Sequence, residues 1–331
     1  MSASKCNTSH KTNLALANRY TIISVLELGE SSQIYKVLDE KTGGIKVAKV
    51  YENNYPKTFE KETKIFKMIQ RLNIPNTIKF YESSVGKFNI NGHTKKKMYI
   101  IQEYGSKGCL FDALKKTKNG FTEDVCQYIL LNILNCVEAL HKEGICHRDI
   151  KTENIVLVGD NYDIKLIDFG YSAKFTDGKN QKKKLITFAG TPYYCPPEIL
   201  EGKPYDGPKA DIFSIGATLF ILMTKKYGFD EAKEINISID KNKLLYKKIK
   251  TKKYDEYWEL LKECKGIDNL SPKFKNIFLK MVAYNPDERP SIEEIKKDEF
   301  MADIVNASEE YINFLRQKMI DEIEFASPIF Y

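Results

Sequence analysis

The chain has 331 residues, a formal net charge of +7 and a hydrophobic content of 42%. This length permits one large domain or two smaller ones, and the composition excludes a disordered or collagen-like chain. The start carries no apolar run typical of a secretory signal, and the longest apolar stretch, residues 212–223, is too short to cross a bilayer.

The cysteines and lysines restrict the partners that we expect. The seven cysteines are scattered and form no CxxC pair, which favours reduced thiols in the cytoplasm or, alternatively, in the nucleus. The lysine runs 95–97, 182–184 and 247–253 are far apart in sequence, which favours solvated loop charge over a nucleic-acid-binding face. We expect a monomer with no nucleic-acid or membrane partner; an RNA- or DNA-associated protein is one alternative.

The first third of the chain predicts a small β-rich lobe over residues 19–104. The polar residues 1–18 before it are expected to form a flexible segment. Apolar residues at helical spacing predict one helix, at residues 57–72. β-Branched and aromatic residues predict strands at 20–27, 34–38, 46–51, 78–82 and 98–103.

Residues 105–300 predict a larger lobe that is mainly helical. Thr122 is a typical N-cap for a long amphipathic helix, which Gly144 ends. Two short strands follow, at residues 155–158 and 164–167. The predicted fold class is therefore α+β with two lobes, and clefts between such lobes are common ligand sites.

Residues 301–331 predict an acidic C-terminal helical tail. Apolar residues recur there at helical spacing, at Ile312, Leu315, Met319, Ile320 and Ile323. An acidic helix is a poor calmodulin target, because such targets are basic. We expect the tail to dock on the large lobe; a partner-binding helix is the alternative.

The run His-Arg-Asp-Ile-Lys-Thr-Glu-Asn, at residues 147–154, carries most of the predicted chemistry. Asp149 can accept the proton of an acceptor hydroxyl, and Lys151 can reach a transferring phosphate. Asn154 offers a hard oxygen ligand suited to Mg²⁺, and Asp168 of the Asp-Phe-Gly run would place a carboxylate on metal that bridges the phosphates. Each residue alone could be a turn or capping residue, but the ordered set is typical of phosphoryl transfer from ATP.

These motifs resemble the signatures of the protein kinase superfamily, and residues 20–300 resemble its catalytic domain almost from end to end. Lys151 resembles the serine/threonine branch more than the tyrosine branch. Residues 168–172 and 229–232 resemble the calcium/calmodulin-dependent-like branch. The resemblance implies a two-lobed kinase fold, ATP and Mg²⁺ as cofactors, and proteins as substrates.

The resemblance also implies the role of each site residue. Lys49 would bind the ATP phosphates and pair with Glu62, for which Glu60 is a close competitor. Gln102 would take the gatekeeper position at the back of the nucleotide pocket. The implied catalytic residues are Asp149, Lys151, Asn154 and Lys49, and the implied metal ligands are Asn154 and Asp168. The implied nucleotide-binding residues are Leu28, Gly29, Ile34, Ala48, Lys49, Glu62, Gln102, Glu103, Gly105 and Asp168.

The segment between Asp168 and Glu198, called the activation segment below, resembles an activation loop. Thr187 stands where many relatives are phosphorylated by an upstream kinase, and a phosphate there could pair with the guanidinium of Arg148. An unmodified loop threonine is the alternative.

Further support residues follow from the same resemblance. Thr191 is expected to bond the catalytic aspartate and lysine. Glu198 is expected to form a buried ion pair with Arg289. Asp211 is expected to hold the catalytic loop, residues 147–154, by its backbone.

The phosphate-covering loop departs from the family pattern. Residues 28–37 read Leu-Gly-Glu-Ser-Ser-Gln-Ile-Tyr-Lys-Val, with one glycine where relatives usually show several, and the turn is shorter. We expect a tighter hairpin and weaker ATP binding with the transfer chemistry retained, because glycine lets the backbone approach phosphates closely. A pseudokinase scaffold is the alternative function, although Lys49, Asp149 and Asp168 are all present.

Overall fold

The computed structural model describes residues 15–90, 93–177, 181–229 and 239–325, and the chain divides into two compact units. The first unit holds residues 15–71 and 78–104, and the second holds residues 72–77 and the described residues from 105 onward. The strands are β1 (Ala15–Leu16), β2 (Tyr20–Leu28), β3 (Ser32–Asp39), β4 (Gly44–Tyr51), β5 (Phe80–Ile90), β6 (His93–Glu103), β7 (Ile145–Cys146), β8 (Ile155–Val158), β9 (Asp163–Leu166) and β10 (Ala173–Lys174). The α-helices are α1 (Pro56–Leu72), α2 (Leu110–Lys116), α3 (Glu123–Lys142), α4 (Pro197–Leu200), α5 (Gly207–Thr224), α6 (Ile239–Lys250), α7 (Tyr254–Lys265), α8 (Pro272–Met281), α9 (Ile292–Lys297), α10 (Ala302–Val305) and α11 (Glu309–Glu324).

In the first unit, an antiparallel sheet closes into a barrel with the strand order β1, β2, β3, β4, β6, β5. Strand β1 closes it, because Leu16 pairs with Tyr20 of β2 on one side and with Phe88 of β5 on the other. Leu16 is fully buried among the aromatic and aliphatic side chains of the barrel core. The flexible segment predicted over residues 1–18 is therefore too long, because residues 15–18 belong to the barrel. Residues 1–14 lie outside the described residues.

The β5–β6 hairpin extends beyond the strands predicted at residues 78–82 and 98–103. Its added residues are largely polar and exposed, so the sequence there shows little of the apolar alternation that predicts a strand. Helix α1 matches its prediction and turns a face towards the unit's interior, including the buried Glu62, Ile65 and Phe66.

In the second unit, the helices pack around α3 and the apolar α5. Strand β7 ends just before residue 147 and pairs antiparallel with β10, and strand β8 begins just after residue 154 and pairs antiparallel with β9. Within the described residues, every helix is too short or too polar to cross a membrane.

Helix α11 is the helix that the apolar spacing of the tail predicts, and it lies on α3. Its residues Leu315, Met319 and Ile323 are buried. Thr122 stands at the N-cap of α3, but its hydroxyl bonds Glu322 of α11 at 2.5 Å instead of capping the helix. Residues 326–331 of the tail lie outside the described residues.

Candidate active site

Asp149 and Asn154 lie together in the loop between β7 and β8, and both are buried. The amide nitrogen Nδ2 of Asn154 donates to the backbone oxygen of Asp149 at 2.8 Å and to its carboxylate Oδ2 at 2.9 Å. Because both amide hydrogens are used, the side-chain oxygen of Asn154 is the atom left to act as a ligand.

Thr191 joins Asp149 to Lys151. Its hydroxyl donates to Asp149 Oδ1 at 2.8 Å and accepts from Lys151 Nζ at 2.8 Å. The lysine nitrogen also lies 3.3 Å from Asp149 Oδ2. The expected double contact of Thr191 is confirmed, and the three side chains hold one another in place.

Asp211, near the start of α5, holds the loop by its backbone. One carboxylate oxygen accepts from the amide of Arg148 at 2.7 Å, and the other accepts from the amide of His147 at 2.9 Å. The ring of His141 contacts the same carboxylate at 2.8 Å. The expected anchoring is confirmed, and the bonds hold Arg148 in a left-handed conformation with φ of 69°.

His147 links the catalytic loop to the Asp-Phe-Gly run. Its Nδ1 accepts from the amide of Asp149 at 3.2 Å, so its Nε2 carries the hydrogen and donates to the backbone oxygen of Ile167 at 2.9 Å. The fully buried Phe169 packs edge-on to the same ring, with 5.1 Å between centroids. Asp168 itself has φ of 58°, and its Oδ1 accepts from the amide of Gly170 at 3.1 Å.

Asn154 and Asp168 are oxygen donors in the same unit. In the described part of the chain, no group of three or more His, Cys, Asp or Glu side chains could hold a metal ion. Mg²⁺ in proteins commonly takes one or two carboxylates and completes its octahedron with phosphates and water. An amide oxygen and a carboxylate therefore fit Mg²⁺ that is shared with a nucleotide.

The predicted ion pair between Glu198 and Arg289 is present and buried. The two guanidinium nitrogens lie 2.6 and 2.8 Å from the two carboxylate oxygens, in a bidentate arrangement. The Arg289 side chain has no exposed area and also donates to the backbone oxygen of Ala283. This pair fixes the end of the activation segment to a distant part of the second unit.

In the first unit, Lys49 pairs with Glu62 and not with its competitor Glu60, which is exposed. Lys49 Nζ lies 3.0 and 3.1 Å from the two carboxylate oxygens of Glu62, and both residues are buried. Tyr51 donates its hydroxyl to Glu62 Oε2, a contact that the sequence analysis missed. The sequence contains a signal for this contact, because Tyr51 lies two residues after Lys49 and therefore on the same face of β4.

The hairpin that joins β2 to β3 is as tight as its sequence predicts. The amide of Gly29 donates to the backbone oxygen of Ser32 at 3.0 Å, and a Cβ atom at Gly29 would lie only 2.9 Å from that oxygen. Leu28, just before the turn, is 71% exposed. Ile34 and Ala48 lie on the neighbouring strands β3 and β4, where Ile34 pairs with Lys49 in register.

The remaining predicted nucleotide-binding residues lie at the end of β6 and just after it. Gln102 is buried, and its Oε1 has no hydrogen-bond partner among the described residues. The amide of Glu103 donates to the backbone oxygen of Lys79. The backbone oxygen of Gly105 accepts from the amide of Gly108 in the second unit.

Of the stretch at residues 229–232, which resembles the calcium/calmodulin-dependent-like branch, only Phe229 lies within the described residues.

Arg148 reaches the activation segment from the catalytic loop. Its Nη1 donates to the hydroxyl of Thr187 at 2.9 Å and to that of Tyr205 at 2.7 Å, and its Nε donates to the backbone oxygen of Tyr171. Tyr205 is a further member of this site that the sequence did not predict. Thr187 is exposed, whereas Arg148 is buried.

Comparison with known proteins finds relatives for most of the chain, including the residues of this site. The family model described as "Protein kinase domain" matches residues 20–301. The human "SNF-related serine/threonine-protein kinase" is 30% identical over 276 residues, which cover 78% of this chain and 32% of that protein. The rat "Serine/threonine-protein kinase SIK1" is 39% identical over 172 residues, which cover 52% of this chain and 20% of that protein. The matched region thus spans a third or less of these relatives.

Proposed function

Because this chain belongs to the protein kinase family, we propose that it transfers the γ-phosphoryl group of ATP to serine and threonine hydroxyls of proteins. The observation that carries the proposal is the joined set of Asp149, Lys151, Asn154 and Thr191. The names of the relatives support serine and threonine as acceptors.

In the proposed reaction, the acceptor oxygen forms a bond to the γ-phosphorus while the bond from that phosphorus to the bridging β,γ-oxygen breaks. Asp149 would accept the hydroxyl proton, since its carboxylate is held in place by Asn154 and Thr191. Lys151 would leave its contact with Thr191 to bind the transferring phosphoryl oxygens. The bonds from Asn154 and Thr191 fix the Asp149 carboxylate before the reaction, which lowers the cost of orienting it.

We propose Asn154 and Asp168 as the Mg²⁺ ligands. When bound, Mg²⁺ supplies positive charge to the phosphate oxygens. The amide of Asn154 is locked by Asp149 with its oxygen available, and the amide of Gly170 orients the Asp168 carboxylate. In the first unit, Lys49 would bind the phosphates while Glu62 and Tyr51 hold its position.

Phosphorylation of Thr187 by an upstream kinase is the proposed activating step. Arg148 is a buried cation whose acceptors, from Thr187, Tyr205 and Tyr171, are all uncharged oxygens. A buried charge without an opposite charge is unfavourable, and a phosphate on Thr187 would supply the missing anion. The exposure of Thr187 gives another kinase access to its hydroxyl.

We propose a reducing compartment, the cytoplasm or the nucleus, as the place of action. The described cysteines are unpaired, and most of them are buried. Burial raises the pKa of the Cys195 thiol to about 12, so this thiol is unreactive at neutral pH.

A pseudokinase scaffold is the second candidate function, and the tight Gly29–Ser32 turn favours it. An assay with γ-labelled ATP and a mixed protein substrate, followed by phosphoamino-acid analysis, separates the two. The proposal expects labelled serine and threonine with the wild-type chain and none with Asp168→Asn. Equal label from both proteins would rule out the active kinase, and nucleotide binding without transfer would favour the scaffold.

A further inference from the structure

Tyr205 stands at the centre of the contacts between Arg148 and the activation segment. Its hydroxyl accepts from Arg148 Nη1 at 2.7 Å and donates to the backbone oxygen of Thr187 at 2.8 Å. The residue is 2% exposed, and burial raises the pKa of its hydroxyl although Arg148 acts in the opposite direction. The hydroxyl therefore keeps its proton at neutral pH and can donate and accept at once.

The backbone of Tyr205 holds the segment at a second point. Leu185 and Tyr205 exchange two backbone hydrogen bonds, each 2.8 Å long, in an isolated antiparallel bridge. The side chain of Leu185 packs against a small apolar cluster that contains Cys195, Ile199 and Tyr205. One residue thus binds the activation segment two positions before Thr187 and again at Thr187 itself.

The segment is held in this way without any negative charge. Among the described residues, no carboxylate forms an ion pair with Arg148, and its acceptors are a carbonyl and two hydroxyls. Arg148 is also joined through consecutive backbone to Asp149 and through its own amide to Asp211. Disorder of the Arg148 side chain would therefore also disturb the position of Asp149, the proton acceptor of the proposed reaction.

We infer that Tyr205 is a positioning residue that takes the place of a phosphate, holding Arg148 and the activation segment in order while Thr187 is unmodified. The inference rests on the proposed kinase function. It gives the unphosphorylated chain a basal activity that depends on one tyrosyl hydroxyl. A phosphate on Thr187 would provide several charged acceptors for the same guanidinium, so Tyr205 would then be dispensable.

The test compares wild type with Tyr205→Phe, each with threonine or with phosphothreonine incorporated at position 187 during translation. In the unphosphorylated pair, Tyr205→Phe should lower kcat about 10-fold, because a buried hydrogen bond to a charged group is lost. In the phosphorylated pair, the two kcat values should agree within about 2-fold. Amide hydrogen exchange should show faster exchange at Leu185 in the unphosphorylated variant only.

Tyr257→Phe is the matched control, because Tyr257 is also buried and its hydroxyl donates to a backbone oxygen, that of Gly228. This control should leave kcat and Leu185 exchange unchanged. The inference is overturned if Tyr205→Phe behaves like the control, or if its deficit is the same with and without the phosphate, which would mark a purely structural role.

Two measurements keep the test decisive. Thr187→Ala keeps both the Thr187 carbonyl and Tyr205, so it should retain slow Leu185 exchange even if Tyr205→Phe proves unstable; fast exchange there would overturn the inference. If every protein is as inactive as Asp168→Asn, the proposed kinase function fails, and Leu185 exchange alone then decides whether Tyr205 orders the segment.

Discussion

The catalytic loop and the β2–β3 turn both contain residues with predicted roles, but the contacts that hold the two segments differ. In the loop, Asp149 receives bonds from Asn154 and Thr191, and Asp211 fixes the backbone on either side of residue 147. The turn is closed by one backbone bond between Gly29 and Ser32, and its tip accepts two further bonds, from the amide of Glu52 to the Ser31 backbone oxygen and from the Tyr55 hydroxyl to the Glu30 carboxylate. The difference indicates that the groups proposed for phosphoryl transfer are held by more contacts than the turn that is proposed to cover the phosphates.

Two consequences follow for kinetics. Changes in the catalytic loop should act mainly on kcat, because they disturb the groups that are proposed to contact the reacting atoms. Changes in the β2–β3 turn should act mainly on KM for ATP, since the turn would contact the nucleotide without taking part in proton or phosphoryl transfer.

The strongest test of the loop is Asp149→Asn. We expect kcat to fall about 1,000-fold with little change in KM for ATP, because the amide cannot accept the hydroxyl proton. Steady-state kinetics and a thermal melt would measure this. Asp160→Asn is the control, since Asp160 is a fully exposed aspartate in the β8–β9 turn. A kcat that stayed near the wild-type value would contradict the proposed role of Asp149.

The next test removes the support of the loop and leaves its chemical groups intact. We expect Asp211→Asn to lower kcat about 10- to 100-fold and to destabilise the chain by about 1–3 kcal/mol, because one of the amides at His147 and Arg148 loses its acceptor in a buried site. Urea denaturation and kinetics would measure both effects. Unchanged kinetics would show that the loop keeps its conformation without this anchor.

A third test reinforces the turn. Insertion of two glycines after Glu30 should lower KM for ATP about 5-fold and leave kcat unchanged, because a longer and more flexible hairpin can approach the phosphates. The same insertion after Thr42, in the β3–β4 turn of the same barrel, is the control. If both insertions have the same effect on KM, the short turn does not limit ATP binding.

The smallest effect is expected at a half-exposed polar contact, between Lys318 of α11 and Asp124 of α3. Burial raises the pKa of Asp124, but the bonds from Lys318 and Thr122 outweigh it and hold the pKa below its usual value. A carboxyl with a lowered folded-state pKa stabilises the fold above its unfolded-state pKa, near 4, and this stability is lost as the pH falls through the folded-state value.

Lys318→Met should therefore lower the melting temperature by about 1–3 °C at pH 7. The difference from wild type should shrink as the pH falls from about 4 through the lowered folded-state pKa of Asp124, below which the carboxyl is protonated in both proteins. Thermal melts across that pH range would check it. A difference that persisted in acid would mean that packing of the Lys318 side chain, and not its charge, stabilises the tail.

The local features of the site could be predicted from the sequence, but the contacts between residues far apart in the chain could not. The order of Asp149, Lys151, Asn154 and Asp168 is visible because it lies in two short runs. Strand β1 was missed because two residues show no periodicity. Tyr205 was missed because a tyrosine before a helix has no local signature of the guanidinium that it will contact.

By itself, the sequence determined which chemical groups the chain carries, their order along it and the family to which it belongs, because these depend on residue type and short spacing. Tertiary structure alone decided that Thr122 would bond the tail and not cap its helix, and that Arg148 would be buried among neutral oxygens. The physical reason is that hydrogen bonds and burial depend on which groups meet in space, and these partners are 200 and 57 residues apart. Short-range sequence patterns do not indicate contacts between residues so far apart.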